Sequence, residues 1–324
     1  MDIAPELLND WYPVVRSDAL VADRPSAACL LGHDLVLWRS NGQVAAWRDL
    51  CIHRGTRLSM GSVENGLLVC PYHGWHYAET GRCVRIPAHP EQVPPAKAKA
   101  TTYQVKERYG LVWVSLGQPD VDVPDFPEED DAAYRKILCG PSAVVNASAP
   151  RIIENFLDVA HFAFVHQGVL GDLGHPEVPD YRVEIGPDGI LARDILAYQP
   201  DPYGIGSGGQ VVYSYRVWRP FAAYLAKDSD DGARFTVALF LTPHNETHTT
   251  AWFYMGANAG ITTPDDEMIE YQNAIFAQDR PILESQRPEL LPLDMAAELH
   301  LRCDRTAIAY RRWLNEKGVN FGTT

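Results

Sequence analysis

The chain has 324 residues, of which 46% are hydrophobic and 22% charged, with 28 basic against 42 acidic side chains and a net charge of −14. This is the composition of a globular protein with room for two domains, and its acidic balance argues against nucleic acid as a partner, because phosphate binding needs clustered Lys and Arg. No apolar run is long enough to span a bilayer, and the start MDIAPELLNDWYP lacks a basic end and an apolar signal core, so a cytoplasmic protein with no membrane association is expected.

The first third reads as short strands broken by turns. Leu30-Leu31, Leu35–Trp38 and Val44–Trp47 are apolar runs separated by Gly32 and by Asn41-Gly42. Leu67-Leu68-Val69 leads into Cys70, and Gly110–Leu116 forms another strand. Residues 117–130 carry three Pro and a set of acids and read as a linker. The expected organisation is an all-β domain over 1–120 and a second domain over 121–324. In the second, strands are expected at Val211–Trp218, Phe235–Phe240 and Thr250–Met255, the last two joined by a turn at Pro243–Glu246. A helix starts near Thr263-Pro264 with acids in its first turn, and a last helix runs from Asp304 to Gly318. The fold class is therefore α+β.

Two segments carry chemistry. Cys51, His53, Cys70 and His73 read Cys-x-His, sixteen residues, then Cys-x-x-His. Two Cys and two His are the ligand set of a Rieske [2Fe–2S] cluster, in which the Cys hold one iron and the His the other. A Cys₂His₂ zinc site is the competing reading, but zinc fingers pair Cys with Cys and His with His across short spacers. Arg54, Gly74 and Trp75 flank the pairs and are expected beside the cluster. Cys29, Cys83, Cys139 and Cys303 suggest no disulfide framework, and Cys83 reads as packing.

The second segment is Glu154–His166. Glu154, Asp158 and His161 are spaced i, i+4, i+7, so a continuous helix puts them on one face. His166 lies about 140° further round, so the helix must end or distort before it if both His bind one ion. Two His and one carboxylate make the facial triad of non-haem Fe(II) oxygenases. Asp279 is the expected carboxylate, because it interrupts the stripe Met268, Ile275, Ile282. A satisfied core carboxylate is the alternative for Asp279, and core histidines for the pair.

The two motifs together resemble the catalytic subunit of Rieske non-haem iron oxygenases, through C-x-H-x16-C-x2-H at Cys51, His53, Cys70 and His73 and [DE]-x3-D-x2-H-x4-H at Glu154, Asp158, His161 and His166. Length, Tyr109–Val114 and Ala309–Leu314 place the chain with shorter members such as dicamba and vanillate O-demethylases and saxitoxin-pathway hydroxylases. The resemblance implies a C-terminal helix-grip domain and a head-to-tail homotrimer. In that trimer Asp158 would link His161 to His73 of the partner subunit, and Asn155 would lie beside the iron. It implies monooxygenation, by hydroxylation or by O- or N-demethylation of a small organic substrate, with O₂ and with electrons from NAD(P)H. A Gly-rich dinucleotide fingerprint is not found, so a separate ferredoxin or flavin reductase is expected. Competing functions are aromatic-ring cis-dihydroxylation and, in another class, a Rieske electron carrier. Tyr203, Tyr213, Tyr215, Trp218, Phe240, Trp252 and Tyr254 are candidate pocket walls; Tyr213 and Tyr215 share a face, as do Trp252 and Tyr254.

Overall fold

The computed structural model describes all residues except 1–2, 203–206 and 230–231. It divides into two compact units. One is Leu8–Val123; the other is Pro124–Thr324 together with the residues up to Leu7.

The first unit is built from two antiparallel sheets. The larger has the order Tyr12–Arg16, Leu111–Ser115, Thr102–Arg108, Gln43–Arg48, His33–Ser40 and Ser26–Leu30. Asn41 and Gly42 both have positive φ, +50° and +81°, which is the two-residue hairpin turn their sequence signals. The smaller sheet joins Ser62–Glu64, Leu67–Val69, His76–Tyr77 and Cys83–Arg85. Trp38, Trp47 and Tyr77 fill the core, with Trp38 and Trp47 edge-to-face at 5.1 Å. Cys83 is buried among them.

The second unit is a seven-stranded antiparallel sheet. Its order is Tyr134–Cys139, His248–Asn258, Arg234–Asn245, Ala222–Asp228, Gly209–Arg219, Gly189–Gln199 and Arg182–Gly186. The central strands are longer than expected. Arg234–Asn245 runs through Pro243, so the hairpin turn falls at Glu246-Thr247 rather than at 243–246. The long helix Asp265–Ser285 packs on the sheet, with Phe276 edge-to-face on Phe253 at 5.1 Å. Its inward residues are Met268, Asp279 and Leu283; Ile282 is 45% exposed, so Leu283 takes the place assigned to it in the stripe. The helix begins after Pro264 and has no side-chain cap. The last helix spans Arg305–Glu316, with Asp304 as its N-cap residue.

The largest departure from sequence expectation is in the ligand segment. The helix Ala149–Leu157 stops at Asp158, whose backbone is extended. A separate one-turn helix, Phe162–Val165, follows, with His161 at its start and His166 at its end. Asp158 causes the break: its Oδ1 accepts the Ala160 N–H at 2.7 Å, a local side-chain-to-backbone bond that competes with helix continuation. Glu154 and Asp158 therefore do not share a helix face with His161.

Glu154 has a different occupation. Arg311 binds it through Nε at 2.6 Å and Nη2 at 2.8 Å, and both Arg311 and Arg151 also hold Glu298. Burial raises the Glu298 pKa, but hydrogen bonds from the two arginines outweigh it and hold the carboxyl below its ordinary value. This four-charge cluster ties the ligand helix to the last helix. Breaking a buried pair by removing one partner costs about 3–5 kcal/mol. Arg311→Met is expected to destabilise by that amount in chemical denaturation. The double variant with Glu154→Gln is expected to recover part of the loss, which a purely steric effect of Met would not allow.

Candidate metal centres and substrate pocket

The two Cys–His loops fold alike. Cys51 N–H donates to the Thr56 carbonyl at 2.8 Å, and Cys70 N–H donates to the Trp75 carbonyl at 2.9 Å. Each Cys carbonyl accepts from a glycine four residues on, Gly55 at 2.9 Å and Gly74 at 3.0 Å. Both glycines have positive φ, +74° and +65°, where a side chain is strained. Asp49 anchors the first loop, accepting from Ser59 N–H at 2.7 Å and Ser59 Oγ–H at 2.6 Å.

Both sulfurs are buried, while His53 is half-buried and His73 exposed. The imidazole centroids are 4.5 Å apart. Trp75 stacks flat on His53, 4.5 Å away and 8° from parallel. Arg54 is exposed. His53 Nδ1 is buried and has no hydrogen-bond partner, as a ligand atom awaiting iron would be. A single zinc would bring its donors within about 4 Å of one another. Among the described residues only one group of three or more His, Cys, Asp or Glu donors lies within 4.8 Å, and it is not this one. The four loop residues thus fit a two-iron cluster rather than one ion. Tyr77, missed in the sequence, places its hydroxyl 3.1 Å from Cys51 Sγ; its only sequence signal is its strand following the second Cys–His pair.

The converging group is His161, His166 and Asp279. The two Nε2 atoms are 3.2 Å apart, and Asp279 Oδ1 lies 3.4 Å from His161 Nε2 and 3.2 Å from His166 Nε2. One face of an octahedron with bonds of about 2.1 Å has edges of about 3.0 Å, so this triangle matches three facial ligands. The other ring nitrogens are committed. His161 Nδ1 donates to Asp158 Oδ2 at 3.1 Å, and His166 Nδ1 donates to Gln278 Oε1 at 2.7 Å. Those bonds fix the tautomers and leave each Nε2 a lone pair. Three lone pairs aimed at one point repel unless a cation sits between them. The electrostatics agree: burial lowers the His166 pKa, yet the hydrogen bond and charge of Asp279 outweigh it and hold the pKa above its ordinary value. The site draws positive charge inward. Asn155 donates to Asp279 Oδ1 at 3.4 Å. Gln278 was not anticipated from the sequence, although it adjoins Asp279.

These ligands open onto a cavity of about 110 Å³ beneath the sheet. Tyr213 and Tyr215 line it, with Phe156, Phe162, Val237 and Phe253. Trp218, Phe240, Trp252 and Tyr254 do not. Trp252 donates to Thr242 Oγ1 at 2.8 Å, Tyr254 donates to Glu129 Oε2 at 2.8 Å, and Trp218 stacks with Phe240 at 6.4 Å. They belong to the opposite face. Tyr203 lies outside the described residues. Two cavity residues the sequence did not single out are Lys227 and Phe235.

Comparison with known proteins agrees with this geometry. Residues 10–106 match the Rieske [2Fe-2S] domain, and 145–319 match the vanillate O-demethylase oxygenase C-terminal domain. Residues 114–175 also match the 3-ketosteroid 9alpha-hydroxylase C-terminal domain. The chain belongs to the catalytic subunits of Rieske oxygenases. It is 33% identical to methylxanthine N1-demethylase NdmA of Pseudomonas putida, over 96% of this chain and 89% of that protein. It is 29% identical to the vanillate O-demethylase oxygenase subunit of a Pseudomonas strain, over 94% and 92%. The solved structure of Pseudomonas putida CBB5 NdmA with caffeine superposes with a TM-score of 0.84 at 30% identity, covering 97% of this chain and 92% of that one. The protein is thus an oxidoreductase of the O₂- and reductase-dependent kind, with a [2Fe–2S] cluster and non-haem iron as cofactors.

Two outcomes follow from the ligands' supports. Gln278→Ala is expected to weaken mononuclear iron binding by roughly 10–100-fold, measured by chelator competition. Tyr77→Phe removes the hydroxyl 3.1 Å from Cys51 Sγ and, with Cys51 as a cluster ligand, is expected to lower the cluster's midpoint potential, read by redox titration with the cluster's EPR signal retained.

Proposed function

We propose that His161, His166 and Asp279 hold one Fe(II), that Cys51, His53, Cys70 and His73 hold the cluster, and that the enzyme demethylates an N-methyl or O-methyl group on a small ring substrate. The observation that carries this reading is the triangle of His161 Nε2, His166 Nε2 and Asp279 Oδ1 opening onto a mostly apolar cavity. When bound, the iron supplies O₂ activation by electrons drawn through the cluster. The chain's own residues do the rest. The aromatic walls bury the substrate ring and exclude bulk water. Asn155 and Gln278 hold Asp279 and His166 in place. Asp158 orients His161 through Nδ1. Hydroxylation of a methyl carbon next to nitrogen or oxygen would give a hemiaminal or hemiacetal, whose C–N or C–O bond breaks to release formaldehyde and leave the N–H or O–H product.

The similarity to N- and O-demethylases favours this reaction over ring dihydroxylation. A pure electron carrier would not need the second unit. We further propose a division of labour between 1–120 and 121–324, and a cytoplasmic homotrimer. The trimer would pair Asp158 with the partner subunit's His73. Asp158 is one-third exposed and His73 is exposed, as such a contact requires. Arg54 would lie beside the cluster, and Trp75 would shield it. No described helix is long and apolar enough to cross a membrane, and no disulfide joins the cysteines among the described residues.

The wild-type protein is expected to hold about three irons per chain, and His166→Ala about two, by metal analysis. Asp158→Asn is expected to keep all three while slowing cluster reoxidation in single turnover by roughly 10–100-fold. Wild-type kinetics in Asp158→Asn would contradict the proposed electron route. A wild-type protein with only two irons would contradict the oxygenase site.

A further inference from the structure

We propose that Lys227 and Tyr213 form a cationic, proton-donating subsite that selects a ring substrate carrying a carboxylate, leaving its oxidisable group toward His161, His166 and Asp279. The proposal rests on the oxygenase reading of this cavity and names the substrate class within it.

Lys227 is the one cationic side chain among the described residues that line the cavity. Its Nζ donates to Gln199 Oε1 at 2.9 Å and to the Pro202 carbonyl at 3.0 Å. An ammonium has three N–H groups, so one is left without an acceptor among the described residues, and the side chain lines the cavity. No described carboxylate forms an ion pair with it, and Asp201 acts only through its longer-range charge. Burial holds the lysine's pKa down to about 8. A buried charge without a counter-charge is costly, so an anion arriving with the substrate is stabilised there.

Gln199 extends the argument to a second donor. Its Oε1 accepts from Lys227, so its Nε2 must face the other way, and it donates to the Tyr213 hydroxyl oxygen at 2.7 Å. Tyr213 therefore uses its oxygen as an acceptor, and its own O–H proton has no described acceptor. Tyr215 stacks beside Tyr213 at 5.9 Å, is 1% exposed, and has a hydroxyl with no partner among the described residues. Buried hydroxyls left unsatisfied are costly. This wall offers one cationic N–H and two hydroxyl protons that no described residue accepts. A carboxylate brings two acceptor oxygens and the counter-charge the ammonium lacks, whereas a carboxamide brings one acceptor oxygen and no charge.

The subsite and the iron ligands share one cavity. Tyr213 pairs with Lys227 across adjacent strands. The Tyr213 ring lies 5.8 Å from Phe162, which lies 5.8 Å from His166. A volume of about 110 Å³ is on the scale of the cavities that hold a single benzene-sized ring.

The test uses the iron-loaded enzyme under anaerobic conditions, titrated calorimetrically with matched pairs: benzoate and benzamide, and 4-methoxybenzoate and 4-methoxybenzamide. The wild type is expected to bind each acid at least about tenfold more tightly than its amide. Lys227→Met is expected to erase the preference, Lys227→Arg to retain part of it, and Tyr213→Phe to reduce it. Equal affinity for acid and amide in the wild type, no binding of either acid, or an unchanged ratio in a folded, iron-loaded Lys227→Met protein would overturn the proposal. Formaldehyde release with the reductase is scored in parallel. Demethylation with an unchanged ratio sinks the subsite alone. A lysine-dependent ratio without oxidation of any methyl substrate sinks the demethylase reading alone.

Discussion

Asp158 uses its two carboxylate oxygens for two tasks, and the centre depends on both. Oδ1 takes the Ala160 N–H and stops the helix. Oδ2 takes the His161 Nδ1 proton and turns that ring so that Nε2 faces Asp279. A continuous helix would have left His161 and His166 about 140° apart. The break lets the two rings flank a single helical turn and bring their Nε2 atoms to 3.2 Å. The arrangement is repulsive by itself, and a cation resolves it. Binding of iron at this triangle would therefore be linked to local folding, with the four-charge cluster around Arg311 fixing the helix that carries the break.

Much of this is legible in the residues. The Cys–His spacing indicates two half-sites because each loop supplies one sulfur and one nitrogen, and the structure shows two loops of the same conformation. The convergence of Asp279 on the two imidazoles is also legible, since an acid there has no place in an apolar stripe without positive charge nearby. The helix break does not follow from periodicity. A 3.6-residue pattern treats Asp158 as one more position on a face and ignores its capacity to bond Ala160. Glu154 illustrates the same limit: its partner, Arg311, is far away in sequence, so its ionic role could not be separated from a metal-facing one.

Pocket walls were half readable. Alternation correctly groups Tyr213 with Tyr215 and Trp252 with Tyr254, but parity alone does not say which group faces inward. The packed helix Asp265–Ser285 decides it, and Phe253 rather than its neighbours meets Phe276. Lys227 is a quieter case. In AAYLAKD it looks like an ordinary strand-end lysine. Only the cross-strand register, which sets it beside Tyr213 and Gln199, makes it a polar feature of an apolar cavity. The same cavity thus combines a cation-seeking end and a proton-donating wall. Together they would position a flat substrate by both ends, without requiring a large binding surface.

The central claim is that three atoms, His161 Nε2, His166 Nε2 and Asp279 Oδ1, are one face of a single metal's coordination shell. Anomalous diffraction from crystals of the iron-loaded protein, collected on either side of the iron edge, tests it most directly. The account predicts an iron peak bonded to all three atoms at about 2.1 Å, with the Asp158 and Gln278 hydrogen bonds intact. No peak at the triangle, or iron bound elsewhere while the two imidazoles turn away from each other, would contradict it.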